Sequence, residues 1–457
     1  MSNARSASER HRRCRLALTL VVMLLAMLRG IGTASAATVT EFRAGITAGN
    51  TPSAIAAGPD GNLWFTELLG DAVGRITPLG SITEFDAGIS ADSFPSAIAA
   101  GPDGNMWFTE YLGRRIGRIT PTGTVTEFHA GITGGPSGIA AGPDGNMWFT
   151  ERSDDRVGRI TPAGAVTEFR AGITQGSEPD TIAAGPDGNL WFTEGDAGQV
   201  ARITPTGRVT EFRAGITNRS NPGSFSPNSR PSGIAAGPDG NMWFTESNGD
   251  RIGRITPAGK ITEFSAGIAP NSLPVGIAAG PDGNMWFTEE NGDRVGRITT
   301  AGKVTEFSTG ISADSGPEEI AAGPDGNMWF TEIFGDRVAR ITTASGPRVV
   351  ILTRRARVSS RGITHVKLVC GASPGRCAGK LILTTTSRAS RTTITRARAR
   401  FSLAAGQRRR VKLRLNRAGR RRLAHAKHHR LATRVRAIVS GGDTHHKLRL
   451  TAPRGSA

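Results

Sequence analysis

The tetrapeptide Trp-Phe-Thr-Glu occurs seven times, with its indole at Trp64, Trp107, Trp148, Trp191, Trp243, Trp286 and Trp329. These are all the tryptophans of the 457-residue chain, and they are spaced by 43, 41, 43, 52, 43 and 43 residues. The chain also carries 60 Gly and 25 Pro, which break any long helix. A period of this length is that of a four-stranded propeller blade. Seven copies predict seven blades and an all-β fold.

One unit resolves into its strands. Val275 to Ala279 are followed by the turn Gly280-Pro281-Asp282-Gly283 and then by Asn284 to Glu289, and residues 294–299 and 303–307 complete the four. In that turn proline presets φ and glycine accepts φ > 0. Asn291-Gly292-Asp293 is expected to turn the next hairpin in the same way. The outermost strand reads Val or Ile, then Thr-Glu-Phe. It occurs seven times, but its first copy, Val39 to Phe42, precedes the first tryptophan and none follows the seventh. The ring is therefore expected to close through a shared blade, with Val39 to Phe42 beside Arg337 to Thr342, which removes the exposed sheet edges.

Residues that repeat in every blade first suggest architecture. Each tryptophan is read as a packing wedge between blades. The glutamate that ends the tetrapeptide (Glu67, Glu110, Glu151, Glu194, Glu246, Glu289, Glu332) invites a reading as a carboxylate ring. It stands, however, five residues before Arg156, Arg251, Arg294 and Arg337 across a short hairpin, so a cross-strand ion pair worth a few tenths of a kcal/mol is expected instead. Arg75 and its equivalents Arg118, Arg159, Arg202, Arg254, Arg297 and Arg340 are read as structural too. The extra residues of the longest gap map to Asn218 to Arg230, a loop that lengthens one rim and is a place where a ligand could bind.

The charge is divided unevenly. The chain has 57 Lys+Arg against 38 Asp+Glu, yet residues 347–457 hold 29 bases with Asp443 as the single acid, and residues 1–36 hold 6 Arg and 1 acid. The middle is left with 22 bases and 36 acids, so a segment of net charge −14 precedes one of +28. Two domains are read from this: a propeller over 37–346 and a basic domain over 347–457. In the latter, Val349 to Leu352, His365 to Cys370, Lys380 to Thr384, Arg410 to Leu415, Arg434 to Val439 and Lys447 to Leu450 read as short strands. A small immunoglobulin-like β-sandwich is expected, with a short helix over Asn416 to Lys427.

At the N-terminus Arg5, Arg10, Arg12, Arg13 and Arg15 precede the apolar run Leu16 to Leu28 and the sequence Ala34-Ser35-Ala36. This is the pattern of a signal peptide cleaved after Ala36, by the general or the twin-arginine route. Cys14 leaves with it, so Cys370 and Cys377 are expected to form a disulfide in an oxidising compartment. The segment 451–457 carries no sorting motif, so a secreted or non-covalently surface-held monomer is expected.

The unit Ile-Ala-Ala-Gly-Pro-Asp-Gly-Asn-Met-Trp-Phe-Thr-Glu, then Gly-Asp-Arg-Val-Gly-Arg-Ile-Thr, then Val-Thr-Glu-Phe, resembles the repeat of the streptogramin B lyase (virginiamycin B lyase) family over residues 37–346. The resemblance implies a seven-bladed propeller that opens a cyclic depsipeptide antibiotic by elimination, with Mg²⁺ and a histidine base. It places that histidine in a Pro-His-Gly-Ile segment of the last repeat and another in Pro-His-Ala-Ile one repeat earlier. Here the segments read Gly316-Pro317-Glu318-Glu319-Ile320 and Leu273-Pro274-Val275-Gly276-Ile277, and the family's carboxylate after the last Trp-Phe falls near Ile333. None of these site residues carries over. His129, the only propeller histidine, follows Glu127-Phe128 on an outer strand and is read as a surface residue.

The residue after the proline that opens each inner strand should ring the channel entrance. In order it is Ser53, Ser96, Ser137, Asp180, Ser232, Val275 and Glu318. Asp180 and Glu318, with Glu178 and Glu319, form an acidic group suited to a cation or an amine. Glu318, Glu319 and Asp180 are the catalytic candidates, and Asp180 and Glu318 the metal candidates, if catalysis survives. Mg²⁺ is the cofactor expected in that case alone.

A propeller lactonase would need a Glu/Asn/Asp cage that the sequence does not present. The expectation is a binding or scaffold protein at the cell envelope that holds a small molecule or peptide at the channel mouth. A lyase of the family type is the alternative. The basic domain suits an anionic envelope polymer or its own acidic propeller. The 50 Arg against 7 Lys equally reflect codon usage, and the lack of interleaved aromatics disfavours nucleic acid.

Overall fold

The computed structural model describes residues 37–217, 228–342, 349–370, 376–386, 393–404, 406–426, 430–439 and 442–452. The proposed signal peptide and most of the Asn218 to Arg230 loop lie outside them. Seven antiparallel four-stranded sheets account for Val39 to Ile341. Blade one consists of Pro52–Ala57, Leu63–Glu67, Ala72–Ile76 and Ile82–Phe85, and the other six repeat it. The inner strands lie beside one another around the ring, Pro52–Ala57 meeting both Pro95–Ala100 and Pro317–Ala322. Closure is by the shared blade: Val39 pairs with Ile341 and Phe42 with Val338. In the blades, expected strand bounds differ from the observed ones by one residue, as in Pro274–Ala279, Met285–Glu289 and Arg294–Ile298, whereas in the basic domain the strands expected at Lys380 to Thr384 and Lys447 to Leu450 extend over Arg376–Thr386 and Gly442–Thr451.

The repeat's chemistry explains each element. Gly61, in Pro-Asp-Gly, has φ 84°, a region that L-residues avoid. In the next hairpin the left-handed residue is the aspartate, Asp293 at φ 45°, and not the glycine before it. Gly58 leaves room for the indole, since a Cβ there would lie 2.5 Å from Trp64 Cδ1. Trp64 Nε1 donates to Asp60 at 3.2 Å, and its ring stacks 5.4 Å from Phe85 of the same blade. Its other side packs on Ile98, Met106, Phe108 and Ile119 of the following blade, so the tryptophan is an inter-blade wedge. A buried ring of this size is worth on the order of 5 kcal/mol of transfer free energy before entropy is subtracted.

Arg75 completes the stack. Its guanidinium lies 5.4 Å from the Trp64 centroid and 5.1 Å from that of Phe85, and Nη1 donates to the Pro121 carbonyl of the next blade at 2.9 Å. Arg340 repeats the contact from blade seven to Pro78 of blade one at 3.1 Å.

The tetrapeptide glutamates depart from expectation. All seven are fully buried, and several keep both oxygens without a hydrogen bond, Glu110, Glu289 and Glu332 among them. Arginines do approach, Arg115 to Glu110 at 3.9 Å, Arg294 to Glu289 at 3.9 Å and Arg337 to Glu332 at 3.7 Å. Those distances lack hydrogen bonds, and an unbonded pair does not offset burial of a charge. Burial therefore pushes each carboxyl up to about 8, reinforced by the outer-strand glutamate of the same blade. The expected cross-strand ion pair thus forms at Glu110, Glu289 and Glu332, but with a buried and not a surface acid; Arg156 and Arg251 turn instead to the outer-strand Glu168 and Glu263 at 3.5 and 4.0 Å. Blades one and four lack the arginine, having Ala72 and Gln199. There an amide takes its place: Asn50 donates to Glu67 at 2.7 Å, and Gln199 to Glu194 at 2.9 Å.

Val349 to Thr451 form a β-sandwich of a three-stranded sheet and a five-stranded sheet, consistent with the immunoglobulin-like expectation. In the five-stranded sheet the short strand Arg355–Arg357 runs parallel to the last strand, Gly442–Thr451. Val411, Leu413 and Leu415 face the core while Lys412 and Arg414 are exposed. The helix is Arg417–Ala424, capped by Asn416, whose side chain accepts from Gly419 N–H at 2.7 Å. Two strands escaped the sequence reading, Arg355–Arg357 and Thr393–Ala404. Cys370 and Cys377 are disulfide-bonded, with Cα atoms 5.6 Å apart.

Candidate binding site at the channel mouth

Two sets of side chains hold the inner strands in place. The tetrapeptide threonine accepts from an inner-strand N–H of its own blade and donates to an inner-strand carbonyl of the next. Thr109 thus accepts from Ala97 N–H at 2.8 Å and donates to Ser137 O at 2.7 Å. The series runs round the ring to Thr331, which donates to Ser53 O. At the rim, an aspartate in each of several hairpins binds the next blade's loop. Asp71 accepts from the N–H groups of Asp92, Ser93 and Phe94 at 2.7, 2.9 and 3.1 Å. It thereby holds Phe94 at φ 60°, a strained conformation for an aromatic residue that persists only where neighbours impose it.

On this frame the residue after each inner-strand proline is half-buried, Asp180 and Glu318 among them. Glu318 keeps part of its surface accessible although protein crowds around it. Burial pushes its carboxyl up to about 8, with Glu290, Glu319 and Asp180 adding like charge. Glu319 is raised to about 7, again by burial first. Glu290 is raised by burial as well.

The acidic group expected from the sequence is only partly uncompensated. Glu178 accepts from Arg152 Nη2 at 2.7 Å and Nε at 2.8 Å, and Asp180 accepts from Ser137 Oγ at 2.7 Å. Burial acts to lower the Arg152 pKa, but Asp180 and Glu178 outweigh it and hold the guanidinium above its usual value.

Around the mouth the residues that follow Trp-Phe-Thr-Glu divide it into sectors, which the sequence reading missed. Blades seven, one and two present Ile333-Phe334, Leu68-Leu69 and Tyr111-Leu112, of which Phe334, Leu69 and Leu112 are 67%, 64% and 60% exposed. Blades three to six present Arg152-Ser153, Gly195-Asp196, Ser247-Asn248 and Glu290-Asn291 at the same positions. Asp196 also meets Arg230 at 3.6 Å. Superposing the seven repeats and reading the two residues after the motif would have found this asymmetry. An apolar arc opposite a charged one suits a ligand with an apolar body and a cationic end.

Among the described residues no three His, Cys, Asp or Glu side chains are arranged to hold a metal ion, so Asp180 and Glu318 lack a completing ligand. His129 is exposed just past the end of the outer strand Val125–Phe128.

Comparison with known proteins follows the same outline. The virginiamycin B lyase family pattern matches residues 30–222 and 216–360. A streptogramin B lyase structure is 31% identical, covering 67% of this chain and 97% of that one, with a TM-score of 0.60. The virginiamycin B lyase of Staphylococcus aureus is 34% identical over 67% of this chain and 99% of its own, with a TM-score of 0.60. A catalytically inactive histidine-to-alanine variant of the S. aureus enzyme with quinupristin gives 33%, 67%, 99% and a TM-score of 0.59. No curated protein matches the sequence. With the family pattern spanning most of the chain and the propeller superposing on these enzymes, the chain belongs to the virginiamycin B lyase family.

Proposed function

We propose that this chain is a secreted, non-catalytic binding or scaffold protein of the cell envelope, built on a lyase-type propeller. The observation that carries the reading is at the inner strand of blade seven, where Pro317-Glu318-Glu319-Ile320 stands in place of the histidine segment. The S. aureus enzyme loses activity when a histidine is replaced by alanine, and the propeller offers only His129, just past the end of an outer strand. The two-sector mouth supports a small molecule or peptide with an apolar body and a cationic end. The charge of +28 on residues 347–457 supports an anionic envelope polymer as a second partner.

Incubating the purified protein with a streptogramin B and Mg²⁺ tests this, with ring opening read by mass. No opening is expected. One observation favours an enzymatic second reading: Glu318, raised to about 8, could act as a general base near neutral pH. Ring opening that disappears in Glu318→Gln would establish that reading and overturn ours. For the basic domain, retention on anionic envelopes should fall steeply as salt rises past about 0.2 M, because exposed charges are screened beyond the Debye length.

A further inference from the structure

A cavity of about 580 Å³ opens on the β-sandwich beside its helix, lined by Arg396, Ala418, Arg421, Arg422, His425 and Leu431 among others. Its volume is in the range of small-ligand pockets. The helix supplies Ala418, Arg421, Arg422 and His425 at spacings of three, four and seven residues, which places them on one helical face. The adjoining face is anchored: Gly419 and Leu423 are buried, Asn416 N–H donates to Arg396 O at 2.8 Å, and Asn416 Nδ2 donates to Thr395 O at 3.1 Å. A Cβ on Gly419 would lie 3.3 Å from Arg396 Cβ, so the helix presses directly over that strand.

Arg396 is the unusual member. It is 5% exposed, covered by its close neighbours, and its Nε donates to Thr385 Oγ1 at 2.7 Å. No carboxylate lines the cavity. The domain's one acid, Asp443, pairs in register with Ile438, seven residues along the strand from Leu431. That separation is about 23 Å at about 3.3 Å per residue. A buried guanidinium without an anion is costly, and here burial and the nearby Arg422 both lower the Arg396 pKa. Three guanidiniums and an imidazole line one cavity, and among the described residues no carboxylate lines it with them.

We propose that this cavity binds the phosphate group of a polyol-phosphate polymer. Guanidinium forks match the oxygens of a phosphate, and donors arriving from both a helix and a strand suit a tetrahedral anion. The lining has no Phe, Tyr or Trp, so the large rings that usually hold a nucleobase are missing. Ala418 and Leu431 leave only a small aliphatic wall for the linking carbons. The proposal rests on the reading of the basic domain as an envelope-polymer binder and names the site that does it.

Calorimetric titration of the full chain with poly(glycerol phosphate) tests it, with glycerol phosphate, inorganic phosphate, phosphatidylglycerol vesicles and single-stranded DNA as parallel arms. The polymer should bind and glycerol phosphate should compete. Arg421→Gln with Arg422→Gln, both exposed on the helix, should raise Kd at least tenfold. Arg409→Gln with Arg410→Gln removes the same charge from an exposed strand and should change Kd less than threefold. Equal effects of the two pairs would overturn the pocket and leave a diffuse positive field. Binding to vesicles alone would overturn the polymer in favour of a lipid surface, and DNA binding lost with the Arg421/Arg422 pair would overturn it in favour of nucleic acid. No binding to any anion would overturn the envelope reading itself.

Discussion

Thr331 and Ser53 lie 278 residues apart in sequence, yet the Thr331 hydroxyl donates to the Ser53 carbonyl and closes the innermost seam of the propeller. The same Oγ1 accepts from Glu319 N–H at 3.1 Å. Thr331→Val keeps the shape and removes both bonds, leaving a donor and an acceptor unpaired at the seam. A loss of about 1 to 3 kcal/mol is expected in urea denaturation. Thr331→Ser, which keeps the hydroxyl, should lose less than half of that.

The arginine stack gives a second expectation. Arg75→Met retains the stem but loses both the ring contact and the bond to Pro121, and should destabilise by about 1 to 2 kcal/mol. Arg75→Lys should recover less than half, because a compact ammonium lacks the planar fork that lies on the rings while donating to the carbonyl. Thermal melts of the two variants check this.

The buried glutamates make stability depend on pH. Their carboxyls rise from 4.5 to about 8 on folding, so the folded chain holds protons that the unfolded chain releases. That contribution is fully present below 4.5 and is lost as pH rises through about 8. Tm should therefore fall by several degrees between pH 5.5 and pH 8. Glu289→Gln, neutral throughout, should flatten the slope and be more stable than the parent at pH 8. A Tm that rises across this interval would contradict the assignment.

All seven tryptophans lie in the propeller, so indole fluorescence is blind to the sandwich. The Cys370–Cys377 bridge spans a sequence separation of 7 and should contribute about 2.5 kcal/mol by chain entropy. Cys370→Ser with Cys377→Ser should shift the sandwich transition seen by circular dichroism and leave the fluorescence transition in place.

Periodicity made the propeller legible. A motif repeated at fixed spacing reports blade number, strand order and the shared closing blade, because each copy must do the same packing work as its neighbours. What repetition hides is environment. The tetrapeptide glutamate and its arginine have the right separation for an exposed pair, and only the third dimension places Glu289 in the core, with Arg294 in ion-pair range but too far to hydrogen-bond. The mouth was half legible: the proline-plus-one ring located Asp180 and Glu318, but Arg152 already occupies Glu178, and the apolar arc of Phe334, Leu69 and Leu112 lay in positions that differ between repeats. In the sandwich, Thr393–Ala404 alternates apolar and polar residues from Ala397 to Leu403, but small alanines fill two of its four inward positions there, so a signal that was present went unread.

The pairing of Val39–Phe42 with Arg337–Ile341 has a kinetic side. At about 5 to 20 residues per second, the chain takes roughly 15 to 60 s to synthesise the stretch between the two partners. For that interval the first strand waits, and the assembled blades present two open edges. The latch of the ring is its earliest-made piece, so a peptide copying residues 37–46 should jam closure if supplied before the last blade is complete and have no effect afterwards. Two chains caught in the same interval could exchange their latches, giving interlocked dimers whose proportion rises with the rate of expression.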